Sequence, residues 1–259
     1  MNISHMPEHI VSQSDNAEKK VFALLHAPYE EPCSIAQWFY DRSIPVFNIH
    51  LWNGDSLPDP GEVSFLIIMG GPMNIYQHDV YPWLIEEKKF IGSIIKRNVP
   101  VLGICLGAQL LSDVLGGKVT RLPTPEYGWI SISRRHEIFQ DHPFSSIIPQ
   151  ECMVFSWHQD TFSIPDQAIP IYSSASCQNQ GFIYNHFIVG LQFHPELDEQ
   201  DIRSFLSLVE KDTGIREYEY PKEDILNRIS LCKMGHAFLK DLLPYMASYM
   251  NPSGSHTFF

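Results

Sequence analysis

Short, unbroken apolar runs alternate with longer amphipathic stretches through the first half of the chain. Residues 21–25, 65–69 and 101–104 carry no charged side chain, which is the pattern of strands covered on both faces of a parallel sheet. Residues 46–49 form a further strand. Between these runs, residues 34–40 and 83–96 have helical spacing. The second helix places Leu84, Ile91, Ile94 and Ile95 on an apolar stripe, with Glu86, Glu87, Lys88 and Lys89 on a solvated face. After Leu115 the pattern turns β-rich, through residues 129–132, 153–155, 169–172 and 181–184, and then a strand over 188–193. Residues 201–210 follow as a helix with Ile202, Phe205, Leu206 and Val209 on one stripe. The elements predict an α/β domain over 20–211, a mostly parallel, flavodoxin-like sheet flanked by helices with a β-rich C-terminal half. Residues 1–19 read as a flexible tail. Residues 212–259 read as an extension: a linker over 213–223, one added C-terminal helix over 224–243 and a disordered end from Asn251. Ile225, Ile229, Leu239 and Leu242 would dock the helix on the main domain or on a second subunit, making an oligomer possible through it.

Three short segments carry chemistry. Gly103-Ile104-Cys105-Leu106-Gly107 lies between an apolar strand and a helical pattern, the thiol counterpart of a nucleophile elbow. The glycines avoid Cβ collisions in the tight corner. Cys105 then sits at a helix N-terminus, where unpaired N–H groups and the macrodipole favour a thiolate. Next, the strand through Leu191 ends in His194-Pro195-Glu196. Two residues apart in extended chain, His194 and Glu196 face the same side, and Pro195 stiffens the pair. An imidazole that takes the thiol proton and a carboxylate that fixes its tautomer complete a Cys–His–Glu proposal. Finally, the strand over 65–69 empties into Gly70-Gly71-Pro72, whose backbone N–H groups, with that of Leu106, suit a developing oxyanion. Each segment alone also fits an ordinary turn; together they define a candidate site.

These segments, in this order and spacing, resemble the class I (triad) glutamine amidotransferase domain, and most of all its stand-alone, GMP-synthase-like branch. Met73-Asn74-Ile75-Tyr76, Tyr81-Pro82-Trp83-Leu84, Tyr127-Gly128-Trp129 and Trp157-His158-Gln159-Asp160 add to the resemblance, which covers roughly residues 20–210. It implies hydrolysis of the glutamine side-chain amide through a γ-glutamyl thioester, with ammonia passed to a separate synthase subunit. By position, Cys105 would be nucleophile, His194 base and Glu196 its orienting group. Gly71 and Leu106 would supply oxyanion amides, and Gln109 would hold substrate, with Gly70 and His158 beside it.

Composition narrows the partners. A net charge of −12 over 259 residues, without a Lys/Arg cluster, argues against nucleic acid and anionic membranes. No apolar run approaches the ~20 residues of a membrane helix. Five scattered cysteines without metal-ligand spacing suit a reducing, cytoplasmic setting. No phosphate-cradling loop with a lysine is present, which argues against a complete synthase, and neither cofactor nor metal is expected. The stretch beyond Leu197 is shorter than the ~100 residues of a synthase domain. Three readings stay open: a glutaminase subunit serving a synthase, a stand-alone γ-glutamyl hydrolase or peptidase, and a non-catalytic module of the same fold.

Overall fold

The computed structural model describes residues 19–135, 142–213 and 220–250. Among the described residues, nine strands form one sheet in the order β2-β1-β3-β4-β9-β8-β7-β5-β6. The first five of that order are parallel: β2 (Val46–His50), β1 (Val21–Leu25), β3 (Phe65–Ile68), β4 (Val101–Ile104) and β9 (Ile188–Leu191). This is the flavodoxin-like order, with β9 in the fifth place. The remaining strands continue it antiparallel, through β8 (Gly181–Tyr184), β7 (Ile169–Ser173), β5 (Val119–Arg134) and β6 (Glu151–Phe162).

Alternation along the parallel strands divides the core between two faces. Val21, Ala23, Leu25, Phe65, Ile67, Leu102 and Ile104 face one side with α1 (Cys33–Tyr40). Phe22, Leu24, Leu66, Ile68 and Val101 face the other, under α2 (Trp83–Lys96) and α3 (Leu106–Val114). Each of these larger side chains, withdrawn from water, contributes roughly 1.5–3 kcal/mol. The unbroken apolar runs follow directly from burial on both sides.

Two expectations are corrected. The strands expected over 129–132 and 153–155 are the inner parts of a long ribbon, β5 with β6, in which Tyr127 pairs with Trp157 and Glu126 with His158. Pro123 and Pro125 punctuate the sequence like a strand end, but the structure absorbs them as a register shift between Arg121 and Glu126. The single helix expected over 224–243 is two: α5 (Lys222–Asn227) and α6 (Cys232–Ala247), joined by a 3-10 turn over Ile229–Leu231. The break lets Ile225 and Ile229 pack with Trp129 and Trp157, while Phe238, Leu239, Leu242 and Leu243 close the sheet face beside α1. One straight helix could not serve both clusters. All four residues expected to dock this segment are therefore buried against the rest of the same chain.

The expected tail up to residue 18, the middle of the linker over 214–219 and the end from residue 251 lie outside the described residues. Among those described, no helix is long and apolar enough to cross a membrane.

Candidate active site

The three chemical segments converge at the C-terminal edge of the parallel strands, where open α/β sheets bind their ligands. Cys105 forms the corner between β4 and α3 with φ 50° and ψ −103°, a conformation that L-residues seldom adopt. The flanking glycines are forced. A Cβ on Gly103 would lie 2.6 Å from the backbone of Gly107, and one on Gly107 would lie 2.1 Å from the Ile68 carbonyl oxygen. Backbone cannot yield as a flexible side chain does. Gly107→Ala is thus expected to lower stability by at least about 3 kcal/mol, read from urea unfolding. The Cys105 N–H donates to the Leu191 carbonyl at 2.8 Å, tying the corner to the strand that leads to His194.

His194 is anchored at 2.8 Å by its own N–H to the Phe155 carbonyl of β6. Its Nδ1 donates to Glu196 Oε1, also at 2.8 Å, with both side chains buried. That bond leaves Nε2 for the thiol. Burial opposes charging the ring, but the Glu196 carboxylate and a hydrogen bond with Cys105 outweigh it and hold the His194 pKa well above the usual value. The His-Pro-Glu segment is clamped from outside: Ser34 N–H donates to Glu196 O at 3.3 Å, and Gly235 of α6 packs so closely that a Cβ would sit 2.8 Å from Pro195 O.

Gly71, Leu106, Cys105, Gln109, His158 and Asp160 share the wall of one open cleft of about 440 Å³. The Gly71 N–H donates to no acceptor among the described residues, leaving it available to a ligand. Gln109 is buried, its Nε2 donating at 3.3 Å to both Asp160 O and Gln192 Oε1. Gly70 departs from expectation. It is not part of the cleft wall; its carbonyl turns away to His26, and its Cα is covered by the Glu30 carboxyl.

His158 lines the cleft from β6 rather than from a turn, and both of its ring nitrogens are engaged, by Glu126 Oε2 at 2.9 Å and by Asp160 O at 3.0 Å. Glu126 also accepts from Ser174, Ser176 and Gln180. Burial works against its charge, but these donors and His158 outweigh that and lower its pKa to about 2 from an ordinary 4.5. A folded-state pKa below the unfolded one gives stability that is full above pH 4.5 and lost as pH falls toward 2. Glu126→Gln should therefore lower the melting temperature at pH 7 by several degrees, the cost of unpaired buried donors being roughly 2–3 kcal/mol. The gap from wild type should narrow below pH 4.5.

Gln192, Arg121 and Glu30 were not singled out from sequence, and Asn74 and Asp160 entered only within motifs of the resemblance. Gln192 donates to Cys105 Sγ at 3.6 Å, and Asn74 Nδ2 donates to the Asp160 carboxylate at 2.7 Å. Arg121, hydrogen-bonded to Gln159, and Asp160 are the charged members of the cleft wall. Gln192 had a signal: one amide in an otherwise apolar strand. Glu30 lies buried near His194 and Glu196, and burial together with Glu196 raises its pKa to about 7 against the opposing histidines. The described residues contain no group of three or more His, Cys, Asp or Glu arranged to hold a metal ion.

The family "Glutamine amidotransferase class-I" matches residues 27–206, well over half the chain. The chain belongs to this family. A glutamine amidotransferase-like protein of Salmonella typhimurium is 27% identical over 191 residues, 72% of this chain and 80% of the relative. One subunit of the glutamine-hydrolyzing GMP synthase of Thermoplasma acidophilum is 34% identical over 51% of this chain and 63% of its own length. For the Helicobacter pylori GMP synthase the match is 33% identical and spans 64% of this chain but only a third of the synthase. A glutamine amidotransferase structure from Thermotoga maritima superposes with a TM-score of 0.80 at 30% identity, covering 89% of this chain and 98% of that one. One from Methylobacillus flagellatus reaches 0.81 at 25% identity, covering 93% and 99%.

Proposed function

We propose that this class I glutamine amidotransferase hydrolyses the side-chain amide of glutamine through a γ-glutamyl thioester on Cys105 and passes ammonia to a separate synthase. The observation that carries the reading is that Cys105, on a strained elbow, shares one cleft with the unengaged Gly71 amide and is hydrogen-bonded to His194 of the buried His194–Glu196 pair. In this reading Cys105 Sγ gives its proton to His194 Nε2 and attacks the amide carbon. The Gly71 and Leu106 N–H groups hold the oxyanion. Collapse breaks the C–N bond as His194 returns the proton to the leaving ammonia, and water then cleaves the thioester to glutamate with His194 as base. Glu196 holds the imidazole by Nδ1 throughout. Gln109 and Gln192 brace one wall, and His158, both nitrogens engaged, acts on substrate only by shaping the cleft. The five free cysteines fit a cytoplasmic setting.

One observation favours a second reading. The cleft wall also includes Arg121, Tyr127 and Gln159, giving room and a cation for a γ-glutamyl conjugate. The deciding experiment assays the purified protein alone on L-glutamine and on γ-glutamyl dipeptides. Weak glutamine hydrolysis with no preference for dipeptides is expected, as amidotransferase sites await their acceptor before assembling fully. Brisk hydrolysis of dipeptides, far above that of glutamine, would replace the amidotransferase reading with the peptidase one.

A further inference from the structure

Besides His194–Glu196 and His158–Glu126, a third buried histidine–carboxylate pair stands behind the oxyanion loop. His26, next after β1, is 1% exposed, and Glu87 of α2 is fully buried, although the sequence places it on a solvated helix face. His26 Nε2 lies 2.9 Å from Glu87 Oε1, its Nδ1 lies 2.8 Å from the Gly70 carbonyl oxygen, and its ring stacks on Trp83 at 5.6 Å. A carbonyl oxygen only accepts, so Nδ1 carries a proton and donates it. Nε2 then meets Glu87 through one shared proton, as an imidazolium against a carboxylate or as a neutral pair. Either way Glu87 fixes the ring so that the Nδ1–H aims at Gly70.

The consequence lies in the planarity of the peptide. No peptide bond among the described residues is cis, so the Gly70 C=O and the Gly71 N–H belong to one rigid unit and point in opposite directions. Pinning the carbonyl toward His26 turns the Gly71 N–H the other way, to the side where Gly71 lines the cleft with Cys105 and Leu106. Two glycines in succession make that unit free to rotate unless something holds it. We infer that His26, oriented by Glu87, is a positioning residue that locks the Gly70–Gly71 peptide with its N–H toward the oxyanion site. The inference rests on the acyl-transfer reading above, because the locked amide matters only where an oxyanion develops. His26 touches no substrate; it acts through Gly71.

The test separates oxyanion stabilisation from general integrity of the site. His26→Leu should reduce kcat on glutamine by roughly 10–100-fold, below the full loss of an oxyanion donor, with KM changed less than about threefold. Alkylation of Cys105 by iodoacetamide, in which sulfur displaces iodide and no oxyanion forms, should stay within about twofold of wild type. His26→Asn, which offers an amide donor where Nδ1 stands, should retain more activity than His26→Gln, whose amide reaches toward Glu87. Equal kcat in wild type and folded His26→Leu would overturn the inference, as would a parallel fall in alkylation and turnover. Should His26→Leu fail to fold, the Asn and Gln variants decide it, and a higher kcat for His26→Gln overturns it. Should wild type hydrolyse no γ-glutamyl amide, the functional reading fails instead. Crystal structures of the two amide variants then judge the lock: the Gly70–Gly71 peptide is expected to keep its orientation in His26→Asn and to rotate in His26→Gln, and an unrotated peptide in both refutes it.

Discussion

Cys105→Ala is expected to reduce glutamine turnover by at least ~10³-fold while leaving the protein folded, because it removes the atom that forms the thioester and little else. The side chain is buried at the edge of the core, and its sulfur has two weak polar partners, the Trp157 carbonyl and the Gln192 amide. Replacing the sulfhydryl by hydrogen there should move the melting temperature by only a few degrees. The four other cysteines provide the internal control. Burial pushes the Cys152 thiol up to about 11 and the Cys177 and Cys232 thiols upward, and burial with the Asp201 carboxylate pushes Cys33 up as well. All four therefore stay protonated at neutral pH and react slowly. A chloroketone analogue of glutamine should label one site, and peptide mapping should find it on Cys105. Label on any of the other four would remove Cys105 from the mechanism.

The parallel half of the sheet was legible because its strands are buried on both faces and leave unbroken apolar runs, and α2 matched its predicted limits because its stripe is long and regular. The antiparallel ribbon was less so. Residues 120–125 of β5 are mostly exposed, and two prolines there imitate a boundary. The elbow and the His-Pro-Glu segment could be read locally, since steric need for glycine and a two-residue spacing are properties of short sequence. Pairs made across the fold left no such mark. Glu87 sits among Glu86, Lys88 and Lys89 and reads as a surface charge, yet α2 turns it inward to His26, 61 residues away. Glu126 and His158 are likewise joined only by the register of β5 on β6. Gly70 and Gly71 look equivalent in sequence, and only the direction of one peptide unit separates the residue that faces the cleft from the one that anchors it.

The members of the triad should contribute unequally. His194→Ala deletes the group that moves both protons and is expected to lower kcat by about 10³-fold or more, close to the loss at Cys105, because base and nucleophile act as a unit. Glu196→Gln is a milder change. Its amide oxygen can still accept from His194 Nδ1 in the place of Oε1, keeping the tautomer that leaves Nε2 for sulfur, and its NH2 would occupy the position of Oε2, a buried atom with no partner. What it loses is the negative charge that, after the opposing effect of burial, does most to favour the imidazolium. We expect a fall of roughly 10–100-fold in kcat, and a His194 pKa lower in Glu196→Gln than in wild type, followed by NMR of the labelled imidazole in both proteins. A Glu196→Gln variant with full activity would place the orienting group elsewhere. Asp160 is poorly suited to that role, because its carboxylate is already held by Asn74. Equal losses in the two variants would mean that the carboxylate's charge is as necessary as the proton carrier itself. The single remaining hydrogen bond from Nδ1 would then be insufficient to hold the ring in line with Cys105.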